Sequence, residues 1–151
     1  MNISGNWVDL VILLILVYFA SEAWRHGVWV ILADFASFLG ALLISLRAYK
    51  FTAGFLRTNF FLSHSISNAL GFLITSIVLE ALLGFAFGHL LTKIPKKFWK
   101  NKWSKPLALI PSLGEGLILI AFILTLIMGL PLRPSIKNDV ADSKIGSYIL
   151  R

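Results

Sequence analysis

The sequence contains no cysteine and few charged side chains. Without Cys, the chain cannot form disulfide bonds, thiolate nucleophiles or thiolate-ligated metal sites. Charged residues make up 14% of its 151 residues, against about 25% in a typical soluble domain. Such a deficit is incompatible with a surface that faces water on all sides. Hydrophobic residues make up 58% and the mean hydropathy is +0.83, which indicates a membrane protein.

The motifs of common enzymes are also lacking. The sequence has no HExxH, no paired metal-ligand spacing, no phosphate-binding glycine loop and no nucleophile elbow. The three histidines stand alone near membrane boundaries. We therefore predict no enzymatic activity, no metal and no cofactor. No basic residue precedes Arg25, so the N-terminus lacks the basic region of a signal peptide and the first apolar stretch is expected to be retained.

Four apolar stretches are long enough to cross a bilayer. A hydrocarbon core about 30 Å thick needs about 20 apolar residues per helix. The stretches are residues 7–24, 28–46, 65–91 and 107–130. We predict an all-α, polytopic membrane protein whose four transmembrane helices pack as a bundle. This domain covers residues 1–132, and a short hydrophilic C-terminal tail follows at residues 133–151.

Two further segments have patterns of their own. Residues 48–63, between the second and third spans, are rich in phenylalanine and are predicted to lie against the membrane surface or fold over the bundle. In the tail, spaced apolar residues predict a short amphipathic segment. These residues are Ile136, Val140, Ile145 and Ile149.

The net charge of +7 is a signal of topology more than of nucleic-acid binding, because many of the positive residues lie in one loop between the third and fourth spans. We predict that this loop lies on anionic lipid, and docking of a partner is the alternative. Its interfacial residues are Lys96, Lys97, Trp99, Lys100 and Trp103. The positive-inside rule places the loop in the cytoplasm and both termini outside. No nucleic-acid partner is predicted.

Small residues spaced four apart predict where the helices meet, because helices in lipid associate through close backbone packing. The candidate packing residues are Ala33, Ser37 and Ala41 in the second span, Gly84 and Gly88 in the third, and Ala108, Ser112 and Gly116 in the fourth. The pattern predicts mutual contact among these three spans and gives no information on activity.

The spans also contain carboxylates, which cost roughly 2.5–3.5 kcal/mol or more in hydrocarbon. Asp9, at the start of the first span, is explained by the helix dipole and the headgroups. Asp34, Glu80 and Glu115 have no Lys or Arg in the apolar cores to pair with. We expect each to be protonated, exposed to water or bonded to a polar neighbour. The candidate neighbours are Ser37, Asn68, Thr75, Ser76 and His89.

These three acids have two interpretations. They are either polar contacts between helices or a proton site of a transporter, for which Glu80 and Glu115 would share one proton.

Several motifs together resemble one known family. They are Asn6-Trp7-Val8-Asp9-Leu10, Arg25-His26-Gly27, the Ala108, Ser112 and Gly116 spacing, and Asp142-Ser143-Lys144-Ile145-Gly146. In order and spacing they resemble the colicin V production protein (CvpA) family of bacterial membrane proteins with four spans. Two of the three family glycines in the last helix are replaced here.

The resemblance implies an accessory or scaffold protein of the inner membrane, with a role in toxin (colicin V) production or export and in envelope homeostasis. It implies no catalytic residues. Envelope proteins or further copies of the chain are the expected partners. Two alternatives stay open: a small oligomeric proton-linked transporter or channel that uses the intramembrane acids, and a membrane anchor for a separate envelope protein.

Overall fold

The structure, a computed structural model, describes residues 6–93, 104–130 and 132–150. The described part of the chain is helical throughout apart from short connections. The helices are α1 (Trp7–His26), α2 (Val28–Phe60), α3 (His64–Leu91), α4 (Ser104–Gly129), α5 (Pro134–Asp142) and α6 (Lys144–Ile149). The first four are long and apolar enough to cross a membrane. The prediction of an all-α protein with four membrane spans is confirmed.

The prediction that residues 48–63 form the connection between the second and third spans is wrong, because α2 continues as a helix to Phe60 and only residues 61–63 connect it to α3. The cause is packing that the sequence pattern does not display. The hydroxyl groups of Thr52 and Thr75 are hydrogen-bonded at 2.8 Å, and the rings of Tyr49 and Phe72 lie 6.2 Å apart. The second half of α2 therefore has a partner along its length.

The hairpin of α2 and α3 depends on a glycine. A Cβ atom built on Gly71 would lie 2.7 Å from the backbone nitrogen of Ala53, which is closer than real Cβ atoms approach. The two backbones therefore meet at a distance that only glycine permits. Besides α3, α2 also contacts α4, and α4 packs mainly against α1. The small residues of α4 thus lie against a helix that the sequence pattern did not identify.

A tight turn joins α1 to α2 at Gly27, which has a φ of +78°. The hydroxyl group of Ser104, at the start of α4, accepts a hydrogen bond from the backbone N–H of Val28 at 3.0 Å. A Cβ atom on Gly27 would lie 2.8 Å from that hydroxyl oxygen. The Arg25-His26-Gly27 motif is therefore fixed against the first residue of α4.

At the opposite end of the bundle, the tail folds as α5 and α6 and packs on α1 and α4. Val140 is fully buried there, so the amphipathic segment predicted in the tail is confirmed. Val140 belongs to one apolar cluster together with four residues of the membrane spans. These residues are Val8, Ile12, Ile120 and Leu124.

Candidate functional site

A cleft of about 590 Å³ lies among α1, α2, α3 and α4. All its lining residues belong to the half of the bundle next to Gly27, namely the end of α1, the start of α2, the second half of α3 and the first half of α4. The acidic cleft, as we name it, contains four carboxylates. They are Glu22, Asp34, Glu80 and Glu115. The structure thus brings together the three acids that the sequence singled out.

The acids differ in depth. At about 1.5 Å per residue, Asp34 lies about 9 Å along α2 from Val28. Glu80 and Glu115 each lie about 16 Å from the end of their helix on the same side of the bundle. Asp34 is exposed, Glu80 is half-buried, and Glu115 is buried with 9% of its surface exposed. The acidic cleft therefore leads from an exposed carboxylate to a buried one.

The backbone around Glu115 is held by contacts between α4 and α1. One turn before it, the Ser112 hydroxyl donates a hydrogen bond to the backbone oxygen of Phe19 at 2.6 Å. One residue after it, a Cβ atom on Gly116 would lie 3.0 Å from the ring of Phe19. The close contact between α4 and α1 thus fixes the backbone on both sides of Glu115. Glu115 is in electrostatic range of both Asp34 and Glu80.

The polar neighbours expected for these acids do not bond to them in the described part of the chain. The hydroxyl group of Ser37 donates to the backbone oxygens of Ala33 and Asp34, and that of Thr75 donates to Gly71. The hydroxyl group of Ser76 is buried without a partner. The reason is local: in a helix, Ser and Thr reach the carbonyl groups of the preceding turn more readily than a side chain on another helix.

Sequence reasoning missed Glu22. It lies near the end of α1, where a charged residue is expected at the membrane surface and does not indicate a site. Its carboxylate contacts Nδ1 of His26 at 2.8 Å and Nη1 of Arg25 at 3.6 Å. Pairs spaced three and four residues apart on a helix are visible in the sequence, but only the fold shows that Glu22 lines the cleft with the other acids.

The predicted packing residues fall into two groups. Ser37, Ala41, Ala108, Ser112 and Gly116 are buried, and Ala33 is half-buried. Gly84 and Gly88 differ from them, because a Cβ atom on either glycine would have no described atom within 4 Å.

The position of these two glycines has a geometric cause. The residues of α3 that meet α2 include Gly71, Thr75 and Leu83. Gly84 follows Leu83 in the sequence, so it lies about 100° around the helix from the face that meets α2. Gly84 therefore lines the acidic cleft, and Gly88 is exposed. Their role in helix packing stays a prediction, and the helix that packs against them would belong to a second molecule.

At the other end, the two terminal motifs meet. The carboxylate of Asp9 accepts hydrogen bonds from the Ser143 hydroxyl at 2.6 Å and from the backbone N–H of Ile145 at 2.9 Å. The indole N–H of Trp7 donates to the side chain of Asp139 at 2.8 Å, and the side chain of Asn6 donates to the backbone oxygen of Asp139. Asp9 thus has protein partners, where the sequence suggested only the helix dipole and the headgroups.

The interfacial residues predicted between the third and fourth spans lie outside the described residues. They are Lys96, Lys97, Trp99, Lys100 and Trp103. Among the residues that are described, no group of three or more His, Asp or Glu is placed to hold a metal ion. The acids of the cleft therefore do not form such a group.

Comparison with known proteins identifies a family. The sequence model of the family described as Colicin V production protein matches residues 8–151, which include all four spans and the tail. No curated protein and no solved structure matches the chain.

Proposed function

The chain belongs to the colicin V production protein family, and from this premise we propose that it is an accessory or scaffold protein of the bacterial inner membrane. In this role it supports production or export of a toxin of the colicin V type and helps to maintain the envelope. The observation that carries the proposal is the extent of the match, because residues 8–151 contain the whole helical bundle with its docked tail. No enzymatic role is part of the proposal.

The proposed orientation follows from charge. Five lysines lie between α3 and α4, at positions 93, 96, 97, 100 and 102, and a sixth, Lys105, lies in the first turn of α4. By the positive-inside rule, this loop is cytoplasmic, it contacts anionic lipid, and both termini are outside. The acidic cleft would then lie in the cytoplasmic half of the membrane, and the docked tail would lie on the outer side.

A test of the scaffold role uses bacteria that secrete a colicin V-type toxin and lack this chain. We expect the wild-type chain and Glu80→Gln to restore toxin in the medium, because an isosteric change leaves the outer surface of the bundle unchanged. Gly88→Leu should fail to restore it if the exposed face of α3 docks a partner. Failure of the wild-type chain, when correctly inserted, would contradict the proposal.

A proton-linked transporter is the second candidate, and the acidic cleft is the observation that favours it. Ionisable groups within spans commonly mark ion or substrate pathways. Four spans are few for a transport pathway, so this candidate requires an oligomer.

The transporter candidate is tested by proton flux into proteoliposomes. Asp34→Asn, Glu80→Gln and Glu115→Gln are compared with wild type and with Asp142→Asn, whose site is exposed and far from the cleft. Transport is supported if one of the cleft variants abolishes the proton flux while Asp142→Asn retains it. Flux no greater than in empty liposomes contradicts it. The role of anchor for a separate envelope protein stays a prediction without a structural observation in its favour.

A further inference from the structure

We propose that the acidic cleft binds an organic cation, an amine with an apolar body, and that Glu115 is the carboxylate that pairs with its ammonium group. The proposal rests on the transporter candidate above and names the substrate class of that site. It concerns binding, so it is measured without any assay of toxin export or flux.

The charge of the cleft points to a cation. Four carboxylates line it, and in the described part of the chain no Lys, Arg or His is among its lining residues. Carboxylates gathered in a cleft with low-dielectric walls raise the local concentration of cations. Glu22 is the one acid that already has basic partners, Arg25 and His26, which leaves three acids without an ion pair among the described residues.

The state of Glu115 is an independent observation. Its residue is 91% buried, since 9% is exposed, and no described hydrogen-bond donor or basic group contacts its carboxylate. The nearby hydroxyl group of Ser112 is already bonded to the backbone of Phe19. Among the described residues, the enclosed side-chain atoms without a partner are the hydroxyl oxygens of Ser45 and Ser76. The carboxylate oxygens of Glu115 are not among them, so they open into the cleft, where a bound hydrogen-bond donor can reach them.

The apolar part of the lining points to an organic molecule. The cleft also contains Tyr18, Phe19, Ile31 and Ile77, and an aromatic ring can hold an ammonium group on its face. A volume of about 590 Å³ is typical of sites for small organic molecules, which range over about 300–1,000 Å³. Because the described acids do not group as metal ligands, an inorganic divalent ion fits less well than an amine.

The depth of the acids suggests how the ligand is bound. The exposed Asp34 attracts the cation at the mouth, and the ammonium group then pairs with Glu115 at the buried end. The apolar body lies against the aromatic and aliphatic walls between them. Glu80, on the facing helix α3, adds a second acceptor near the same depth.

The test measures binding of phenethylamine to the full chain in lipid nanodiscs by titration calorimetry. Phenylethanol, which has a similar shape without the ammonium group, is the matched neutral ligand, and Mg²⁺ is the inorganic cation. Glu115→Gln and Glu80→Gln are compared with wild type and with Asp142→Asn, which lies on the exposed side of the tail. Circular dichroism checks that each variant is folded.

We expect saturable binding of phenethylamine to wild type and to Asp142→Asn, at least tenfold weaker binding to Glu115→Gln, and a smaller loss in Glu80→Gln. Phenylethanol should not bind, and Mg²⁺ should not displace the amine. The proposal is overturned if folded wild type does not bind phenethylamine, if Glu115→Gln binds it as well as wild type does, or if phenylethanol binds equally. Displacement by Mg²⁺ would also overturn it and assign the cleft to inorganic ions.

Failure of this proposal is distinguishable from failure of the functions proposed above. Proton flux without amine binding would leave the transporter candidate intact and remove only the substrate class. Amine binding without flux would keep the site and remove transport. If a variant that no longer binds the amine still restores toxin export, amine binding is not needed for the scaffold role.

Discussion

The half of the bundle near Gly27 and the half near Asp9 differ in what lies between their helices. Near Gly27 the helices enclose carboxylates and open space, and the most buried carboxylate has no described partner. Near Asp9 they enclose an apolar cluster with Val140 from the tail, and the carboxylate there has three donors. The same four helices thus form a stabilising core at one end and an unsatisfied polar site at the other.

This difference indicates which half carries function. Natural proteins tend to satisfy buried polar groups, and the exceptions concentrate where a ligand or a reaction completes the site. The carboxylate of Asp9 obeys that rule, although the buried hydroxyl group of Ser45 in the same half has no described partner. The carboxylate of Glu115, in the half near Gly27, has no described partner. Replacing the carboxylate of Asp9 and replacing that of Glu115 should therefore have opposite effects on stability.

The largest effect is expected from Ile120→Ala, in the apolar cluster of the half near Asp9. Ile120 is 1% exposed, and truncation of a buried Ile typically costs about 2–5 kcal/mol, because a cavity remains. The measurement is the free energy of unfolding in detergent or lipid. Ile123→Ala, at a residue that is 37% exposed, is the matched control. Equal losses in the two variants would show that the cluster is not a core.

A loss of about 1.5–3 kcal/mol is expected from Asp9→Asn, since hydrogen bonds to a charged group contribute about that much. The amide keeps the size of the side chain, but its NH2 group would face donors at Ser143 and Ile145. Hydrogen exchange in residues 134–150 should become faster, whereas Asp142→Asn leaves it unchanged. Unchanged protection in Asp9→Asn would mean that the tail docks without this carboxylate.

The opposite sign is expected from Glu115→Gln. Replacing a buried carboxylate that lacks a described partner should raise the stability of the ligand-free protein by about 1 kcal/mol. The reason is that an amide is less costly to bury than a charge. Thermal unfolding in nanodiscs measures the change. A clear decrease in stability would show that Glu115 has a stabilising partner, and the contrast between the two halves would then fail.

The smallest effect is expected from Gly88→Ala. Nothing described lies within 4 Å of the new Cβ, so the change in stability should stay within about 0.5 kcal/mol, as for most surface positions. Gly71→Ala on the same helix is the contrast, because its Cβ would meet the backbone of Ala53 at 2.7 Å and overpacking costs about 1–3 kcal/mol. Similar losses at both sites would place Gly88 in a contact between molecules.

Much of this fold is predictable from the sequence, because membrane spans depend on length and hydropathy alone. Four spans follow from the apolar stretches. The extent of α2 does not, since Arg47, Lys50 and Arg57 suggest an exit from the membrane, whereas Thr52 and Ala53 continue the contact with α3. Tertiary packing against α3 therefore determines how far α2 extends.

The candidate site was predictable only in part. The high cost of a carboxylate in hydrocarbon singles out Asp34, Glu80 and Glu115 without a structure. Their assembly in one cleft depends on the register of the helices, which no spacing within one helix reveals. For the same reason the sequence did not indicate that Gly84 and Gly88 face away from α2, or that Asp9 meets the tail.

The contact between Asp9 and the tail has a consequence for biogenesis. Residue 9 leaves the ribosome first among these groups, and Ser143 and Ile145 follow only after all four spans have been synthesised. During insertion the first helix therefore carries a carboxylate whose hydrogen-bond donors do not yet exist. This end of the bundle can therefore be completed only after the tail has been translated.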